Sequence, residues 1–373
     1  MKKRKILFLI PNLMYGGAEK VLVNLVNNMD VNKYEITVQT LFDVGLHKKE
    51  LLPHIKYRTF MHKEFRGNSY LFKTFSSTFW WKRIIKQHYD IAVSYLEGPT
   101  SRILSGCDDP TTKLVSWLHI ELNTSKLAAQ GFRNIIEAKR AYERFNRIIA
   151  VSQNVKECFI NCLHIENSIE VLYNTNETEK IRERATSPTE DNCFITGDVP
   201  VVVSVAKLMK TKGFDRLLDV HKRLLDEGLK HRIYILGIGE EKNNLEEKIK
   251  KFNCNKSFIL LGFKENPYSY VAKSDLYVCS SRREGFSTAV TEALIVGTPV
   301  ISTNCSGAKE LLGANNEYGL VVENSVEGIY KGMKMMLENP EMRLRYKKKA
   351  KIRGEFFSKE RTVKAVEKML DLL

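Results

Sequence analysis

The sequence predicts an α/β protein built from two doubly wound parallel-sheet domains. Short apolar runs of strand length alternate with segments of helical apolar spacing along most of the 373 residues. The chain also exceeds the size at which a single hydrophobic core stops growing. A polar stretch at 177–198 interrupts the alternation, so we place the boundary between the two domains there.

The first half of the chain predicts a parallel sheet whose strands are separated by helices. The expected strands are 6–10, 36–42, 91–95, 114–117 and 148–151. Pro11 stops the first of them, and a segment with helical apolar spacing follows. We assign 1–176 to an N-terminal domain and the charged stretch 177–198 to a linker.

The second half repeats this alternation. The expected strands are 201–207, 233–236, 258–261, 275–279 and 300–303. Beyond Ser325 the chain is helical and rich in lysine. We assign 199–355 to a C-terminal domain and 356–373 to a final helix.

The stretch from Ser280 to Leu294 carries the strongest indication of a binding site. A predicted strand ends just before it and a helix begins within it, and open α/β sheets bind ligands at such junctions. Gly285 lets the backbone approach a ligand closely. Ser287 is a suitable N-cap, and the free amides of Ser287, Thr288 and Ala289 would present the positive end of the helix to a phosphate.

Two glutamates in this stretch are candidates for separate roles. Glu284 stands before the helix, level with the group attached to the phosphate. Glu292 lies more than one turn into the helix, where it could accept both hydroxyls of a ribose. The alternative is that both are solvated glutamates beside an ordinary helix start.

Two lysines follow the first strand of the second domain. Lys207 ends the strand, and Lys212 stands five residues later, before Gly213 and a helix. Two cations at the mouth of a parallel sheet can neutralise a diphosphate and stabilise it as it leaves. The alternative is a pair of solvated loop lysines.

Three short sequences in this half together resemble the signature of glycosyltransferase family 4. They are Glu284-Gly285-Phe286, then Glu292-Ala293-Leu294 after seven intervening residues, and Gly297-Thr298-Pro299-Val300. The family consists of retaining, nucleotide-sugar-dependent enzymes of the GT-B fold. The resemblance implies two Rossmann-like domains that face each other across a cleft, with the last helix crossing back onto the first domain.

The resemblance also implies roles for residues in both halves. Gly16 and Gly17 are similar to the family's N-terminal glycine loop, which faces the donor diphosphate. His119 matches a histidine that contacts the transferred sugar, and Gly262 and Phe263 match the segment along which the nucleotide base lies. Taken alone, a glycine pair indicates only a tight turn, and a single histidine is more often structural.

The combined expectation is a retaining glycosyltransferase that uses a nucleoside-diphosphate sugar, with a UDP-sugar favoured. Glu284 and the amides of Gly285 and Phe286 would hold sugar hydroxyls. No carboxylate is placed as a dedicated nucleophile, so the resemblance implies that the leaving phosphate accepts the proton of the acceptor hydroxyl. Two alternatives stay open: a nucleotide-sugar 2-epimerase of the same fold, and a basic nucleic-acid-binding protein without enzymatic activity.

No metal and no cofactor are expected, because no Asp-x-Asp sequence stands at the end of a strand. The seven cysteines contain no Cys-x-x-Cys pair. Cys158, Cys162 and His164 could be metal ligands, but no second ligand pair follows them. We therefore expect the cysteines to be small buried side chains that stay reduced.

The net charge of +15 is partly concentrated at 56–90, where eight lysines and arginines face two acidic residues, a net charge of +6. The aromatic residues interleaved with them include Phe65, Tyr70, Phe72, Phe75, Phe79, Trp80 and Trp81. Basic charge with exposed aromatic residues suits an anionic membrane surface, and it also suits single-stranded nucleic acid. The alternative is that the aromatic residues form core and the lysines a solvated face.

These features lead us to expect a glycan or lipid-linked acceptor, as in bacterial surface polysaccharide biosynthesis, and no nucleic-acid partner. No apolar run is long enough to span a bilayer, and the first residues lack a signal-peptide cleavage region. The expected location is the cytoplasm, with peripheral contact at the inner face of the cell membrane.

Overall fold

The structure is a computed structural model that describes residues 2–14, 16–65, 67–165 and 168–373. The chain divides into two compact units. The first consists of Met1–Asn176 with Lys359–Leu373, and the second of Glu177–Ser358. Arg66, one of the eight cations at 56–90, lies outside the described residues.

Each unit is built on one all-parallel sheet, as far as the described ranges extend. The first sheet contains β1 (Arg4–Ile10), β2 (Tyr34–Phe42), β3 (Lys56–Met61), β4 (Ile91–Ser94), β5 (Lys113–Leu118), β6 (Arg147–Ala150) and β7 (Ile169–Val171). The second contains β8 (Val201–Val205), β9 (Arg232–Leu236), β10 (Phe258–Gly262), β11 (Leu276–Cys279), β12 (Val300–Thr303) and β13 (Leu320–Val322). The strand orders are β3-β2-β1-β4-β5-β6-β7 and β10-β9-β8-β11-β12-β13. In each sheet the first strands follow one another in one direction, and the later strands are added on the other side of the first strand. The strand order therefore reverses once, between β1 and β4 in the first sheet and between β8 and β11 in the second, and each reversal creates a topological switch point.

Helices connect the strands. Those of the first unit are α1 (Gly17–Asn28), α2 (Asn68–Thr74), α3 (Ser77–Ile84), α4 (Pro99–Leu104), α5 (Ser125–Ala128), α6 (Ile135–Tyr142) and α7 (Gln153–Leu163). Those of the second unit are α8 (Thr178–Ala185), α9 (Phe214–Asp226), α10 (Lys242–Lys251), α11 (Tyr268–Lys273), α12 (Thr288–Val296), α13 (Ala308–Leu312), α14 (Val326–Glu338) and α15 (Pro340–Phe356). The last helix, α16 (Lys359–Asp371), belongs to the first unit. Within the described parts of the chain, no helix is long and apolar enough to cross a membrane.

The central strands are apolar on both faces. Ile6 to Ile10 in β1 and Val201 to Val203 in β8 are all fully buried. Strands covered on both faces read as continuous apolar runs rather than as alternating patterns, which is the pattern of buried parallel sheets. The predicted class of two doubly wound parallel sheets is confirmed.

The stretch predicted as a linker, 177–198, belongs to the second unit. Helix α8 buries Ile181 against Tyr268 and Ile295. Farther along, Phe194 packs on the ring of Tyr234, with ring centroids 4.8 Å apart. The linker prediction is wrong because a few apolar side chains of this otherwise polar stretch pack against the second unit. The predicted final segment also begins slightly too early, since α16 starts at Lys359.

The cysteines were expected to be buried, and the structure bears this out only in part. All seven are free thiols. Cys107, Cys254 and Cys279 are buried, whereas Cys193 is exposed. The remaining three, Cys158, Cys162 and Cys305, are partly exposed.

A buried histidine pair links α9 to the start of β9. His231 Nδ1 donates to Leu229 O at 2.8 Å, so His231 Nε2 accepts from His221 Nδ1, also at 2.8 Å. His221 Nε2 then accepts from Ser257 Oγ at 2.9 Å. Both rings are neutral in this arrangement. Burial and the neighbouring ring lower the pKa of His221 to about 2, and burial lowers the pKa of His231 as well.

We expect the stability of the second unit to fall in mild acid because of this pair. The unfolded chain binds protons below the ordinary histidine pKa of 6.5, while the folded pair excludes them. The stabilisation is therefore complete above that pH and declines below it, by about 1.4 kcal/mol per histidine per pH unit. Thermal melts between about pH 7.5 and about pH 5.5 measure the effect. An unchanged melting temperature across this interval would contradict the prediction.

Candidate active site

The second unit presents its predicted site residues at the switch point between β8 and β11. The loop after β8 carries Lys207 and Lys212, and the loop after β11 carries Glu284 and Ser287. Both loops leave the carboxyl edge of the sheet at the place where ligands of doubly wound folds bind.

Several hydrogen bonds join these two loops. The amide of Arg282 donates to Thr211 O at 2.7 Å, and Ser280 Oγ donates to Lys212 O at 2.9 Å. The guanidinium of Arg282 forms two parallel bonds of 2.7 Å with the carboxylate of Asp215 at the start of α9. Because the loops are cross-linked at several points, we expect them to move as one piece.

Gly213 lies at a close approach between the two loops. Its φ is +69°, and a Cβ added there would lie 2.2 Å from Ser280 O. We expect Gly213→Ala to destabilise the second unit by about 2–3 kcal/mol, from left-handed strain together with the backbone clash. Gly228→Ala is the matched control, since Gly228 has φ +84° but open space around its Cβ position. Denaturant unfolding of both variants tests this, and equal losses would contradict it.

Lys212 and Glu284 form an ion pair at the centre of the site. The ammonium lies 2.7 Å from Glu284 Oε1 and 2.9 Å from Oε2. Burial alone would lower the pKa of Lys212, but the charge and hydrogen bonds of Glu284 outweigh it and raise the pKa. Lys212 therefore stays an ammonium ion. The sequence predicted separate ligands for these two side chains, and the structure shows them bound to each other.

Oε2 is the less occupied carboxylate oxygen of Glu284. Oε1 accepts from Lys212, from Ser281 Oγ at 2.5 Å and from Cys279 Sγ at 4.0 Å, whereas among the described residues Oε2 accepts from Lys212 alone. A carboxylate offers about four acceptor positions. The arrangement leaves a fixed acceptor at Oε2, which suits a hydroxyl group.

The start of α12 presents free amides. Ser287 is the N-cap, and its Oγ accepts from the amide of Val290 at 3.3 Å. Within the described residues the amides of Thr288 and Ala289 have no acceptor. Glu292, one turn farther on, is buried and accepts from the hydroxyl of Tyr268 at 3.4 Å. The helix start therefore offers donors to an anion, with a carboxylate behind them.

Phe286 has a structural side chain. Its ring is buried and packs edge-on against Phe357, with centroids 5.8 Å apart. The predicted contribution of Gly285 and Phe286 to sugar binding thus concerns their backbone amides only.

The segment predicted to hold the base lies at the end of β10. Gly262 has φ +74° with open space around it, and the side chain of Phe263 is 49% exposed. Exposed Ile238 and Met209 stand on the two neighbouring loops. Backbone bonds connect the three loops, including Gly237 N to Gly262 O at 2.8 Å. The carboxyl edge therefore has an apolar end beside its charged centre.

Two features of this edge were not predicted as such. Arg216 in α9 is buried and donates to Ser280 O, at 2.9 and 2.6 Å, and to Ser281 O at 2.7 Å. A cation in the first turn of a helix opposes the helix dipole, which was the one signal that could have revealed it. Gly237 and Gly239 are needed for packing, because a Cβ on Gly237 would clash with the carbonyl of Ala206 and one on Gly239 with that of Leu208.

In the first unit, Gly16, Gly17 and His119 also stand at the carboxyl edge of the sheet. Gly16 is the N-cap of α1, directly after the β1 loop, and Gly17 is the first helical residue. His119 follows β5, and its ring centroid lies 4.8 Å from that of Tyr95.

His119 has the features of a neutral ligand-binding side chain. It is 8% exposed, and its Nε2 has no hydrogen-bond partner among the described residues. Its backbone amide and that of Ile120 both donate to Glu97 Oε1. Burial lowers the pKa of His119 to about 3, so the ring is uncharged at neutral pH.

The described residues contain no group of three or more His, Cys, Asp or Glu side chains that could hold a metal ion. Metal independence remains a prediction that only an assay can test.

Two family models match this chain, one in each unit. The model described as "Glycosyltransferase Family 4" matches residues 15–180, and the model described as "Glycosyl transferases group 1" matches residues 190–353. The chain belongs to glycosyltransferase family 4. The expected family is thereby confirmed.

Two curated relatives of this family 4 chain are informative. The N-acetylgalactosamine-N,N'-diacetylbacillosaminyl-diphospho-undecaprenol 4-alpha-N-acetylgalactosaminyltransferase of Campylobacter jejuni is 36% identical over 203 residues, which cover 54% of this chain and 53% of that protein. The capsular polysaccharide biosynthesis glycosyltransferase CapM of Staphylococcus aureus is 29% identical over 182 residues, covering 47% and 48%. The chain thus spans about half the length of these relatives.

A solved structure matches the family 4 chain along nearly its whole length. HepE of Anabaena, in complex with UDP, superposes with a TM-score of 0.77 at 18% identity, covering 99% of this chain and 100% of HepE. This similarity concerns the fold, which is the GT-B fold.

Proposed function

We propose that the protein is a retaining glycosyltransferase that moves a sugar from a nucleoside-diphosphate sugar to an acceptor hydroxyl. The observation that carries the proposal is the Lys212–Glu284 pair beside the free amides of α12, at the switch point of the second sheet. Charged donors and a fixed carboxylate in one place fit a ligand that has a diphosphate and hydroxyl groups.

The diphosphate would bind between Lys212 and the amides of Thr288 and Ala289. Lys207 supports this assignment, because its side chain is exposed and has no carboxylate partner in the described part of the chain. A lysine here contributes charge but not the two-pronged geometry of arginine. Fixed cations and amides aimed at the leaving phosphate are the main catalytic contribution that this arrangement can make.

The sugar would be held by Glu284 Oε2 in the second unit. In the reaction the acceptor oxygen bonds to the anomeric carbon as the bond from that carbon to the phosphate oxygen breaks. The acceptor proton passes to the leaving phosphate, and the nucleoside diphosphate departs. Two-carboxylate double displacement is the usual route to retention, but Glu284 is already occupied by Lys212 and Ser281, which does not favour it as a nucleophile.

The nucleoside would lie along the apolar end of the same edge, with the base near Phe263 and the ribose hydroxyls on Glu292. A uridine nucleotide is our preferred donor, in line with the UDP bound to HepE. No metal is included in the proposal, so transfer should persist in the presence of a chelator.

We propose a glycan or lipid-linked acceptor. The name of the Campylobacter jejuni relative specifies a diphospho-undecaprenol acceptor, and that of CapM places it in capsular polysaccharide biosynthesis. Such an acceptor requires peripheral contact with the membrane on its cytoplasmic face.

Donor binding can be tested by thermal stability against UDP-, GDP- and ADP-sugars without added metal. A ligand at about 100 times its dissociation constant adds about 2.7 kcal/mol of stability. We expect a shift with a UDP-sugar that is lost in Glu292→Gln, because that change removes the charge that holds the ribose. A shift that survives the substitution would contradict the assignment of Glu292.

The reaction itself needs a separate assay. When the protein is incubated with labelled donor and a membrane extract, the label should be transferred to lipid. When the protein is incubated with donor alone, the donor should be recovered with its sugar unchanged. Epimerised sugar in the absence of acceptor would favour the 2-epimerase alternative and overturn the proposal.

A further inference from the structure

The first unit has an exposed aromatic and basic surface at the junction of α2 and α3. We call residues 70–86 the α2–α3 corner. Tyr70, Phe75 and Phe79 are 73%, 53% and 43% exposed there, whereas Phe72, Trp80 and Trp81 are buried. The aromatic residues of this stretch therefore divide into a core layer and an outer layer, and only the core layer is explained by folding.

The outer layer rests directly on the inner one. The ring centroids of Phe75 and Phe79 are 4.5 Å apart, and that of Phe79 lies 5.3 Å from that of the buried Trp80. Clustered exposed apolar side chains mark interaction surfaces, whereas isolated ones need no explanation.

Two arginines hold this corner in place. Fully buried Arg102 donates to Phe72 O and, at 2.9 Å, to Phe75 O, and it pairs with Glu137 at 2.7 Å. Arg133 donates to the carbonyls of residues 73–75 at 2.7 to 3.1 Å. The last carbonyls of α2, which water usually satisfies, are thus bound by arginine. Phe75 is therefore presented from a fixed position rather than from a fraying end.

Cations occur in the same two helices as the exposed rings and just after them, and Lys73 Nζ lies 5.7 Å from the centroid of the Tyr70 ring. Lys73, Arg83 and Lys86 have no carboxylate partner among the described residues. Lys82 pairs with Asp108 at 2.8 Å. The corner therefore combines uncompensated positive charge with apolar rings, and the partner it fits is anionic and apolar at the same time.

We infer that the α2–α3 corner docks the protein on an anionic phospholipid surface, with Phe75 and Phe79 inserted among the acyl chains and Arg83 and Lys86 on the headgroups. Aromatic side chains settle at the bilayer interface, and each basic residue near an anionic surface adds attraction. Single-stranded nucleic acid fits less well, because Phe75 and Phe79 cover each other's faces instead of offering them to bases. The inference rests on the proposed function, since a lipid-linked acceptor makes a bilayer the expected partner.

Sedimentation of the full chain with vesicles tests the inference. Vesicles of equal parts phosphatidylcholine and phosphatidylglycerol should bind the protein at low ionic strength, and pure phosphatidylcholine should not. Binding should weaken as salt is raised. Phe75→Ala with Phe79→Ala, and separately Arg83→Glu with Lys86→Glu, should each weaken binding at least about tenfold.

The matched control is Lys347→Glu with Lys348→Glu on α15, which makes the same charge change on another exposed basic helix. Its vesicle binding should stay within about twofold of the unchanged protein. An equal loss in the control would mean that overall charge, not the corner, drives binding. No vesicle binding at all, or an oligonucleotide that displaces the vesicles, would also overturn the inference.

Vesicle binding requires neither donor nor acceptor, so it can fail while the proposed transfer stands. Conversely, transfer to a water-soluble acceptor should be unchanged in the Phe75→Ala, Phe79→Ala variant, because the substitutions leave the proposed donor-binding residues of the second unit unchanged. Loss of soluble-acceptor transfer in this variant, with the fold intact by circular dichroism, would contradict the docking role.

Discussion

Lys212→Met is expected to lower kcat/KM for sugar transfer by about 10²–10³-fold. The substitution removes a cation from the proposed leaving phosphate. It also leaves the Glu284 carboxylate, whose side chain is 13% exposed, with Ser281 as its remaining hydrogen-bond donor of ordinary length. An unpaired carboxylate beside a diphosphate repels it, so both donor affinity and the transition state should suffer. Steady-state kinetics with a labelled donor measures the loss.

Lys210→Met is the matched control for this prediction. It makes the same side-chain change two residues earlier in the loop, at an exposed position without a carboxylate partner in the described ranges. Its kcat/KM should stay within about threefold of the unchanged enzyme. Lys212→Arg, which keeps the charge, should retain more activity than Lys212→Met. Equal kinetics for Lys210→Met and Lys212→Met would show that the Glu284 pair has no part in catalysis.

Most of the fold could be predicted because the central strands are buried on both faces. Continuous apolar runs such as that of β1 have few other interpretations in a chain of this length. The edge strands β3 and β13 were not predicted. β3 is only partly covered and has a mixed polar and apolar sequence, and β13 is only three residues long, which is too short to give a pattern. The docking of 177–198 was missed for a similar reason, because it depends on a few side chains such as Ile181.

The site could be predicted only as a set of positions. Glycines, an N-cap and charged residues at strand ends mark where a ligand approaches, and these marks are local in sequence. The pairing of Lys212 with Glu284 joins residues 72 positions apart, and no periodicity or spacing records it. Contacts of this kind come from the strand order, which places β8 next to β11.

The contacts of Arg216 also come from the strand order, and so the sequence did not reveal them. We expect the removal of Arg216 to lower stability more than the Gly213 substitution does. Its guanidinium serves the carbonyls of Ser280 and Ser281 and, at 2.7 Å, Asn324 Oδ1. Without Arg216, Ser281 O still accepts a hydrogen bond from Thr303 Oγ1 at 2.6 Å. Ser280 O, in contrast, loses its charged donor while it stays inside the protein. Arg216→Met should therefore lower the free energy of unfolding of the second unit by about 3–5 kcal/mol. Denaturant unfolding at neutral pH measures this.

The position of Arg216 makes it more than a stabilising residue. Ser281, whose carbonyl it binds, donates from its hydroxyl to Glu284 Oε1. If Arg216 positions the loop, kcat should fall in Arg216→Lys at a temperature where that variant is fully folded, because an ammonium ion cannot bind several acceptors in the fork geometry of a guanidinium. If Arg216 only stabilises the unit, Arg216→Lys should show normal kcat and KM below its melting temperature. The difference arises because a loop that binds a diphosphate must hold its carboxylate in place, and Arg216 contributes to that hold by binding the carbonyls of Ser280 and Ser281.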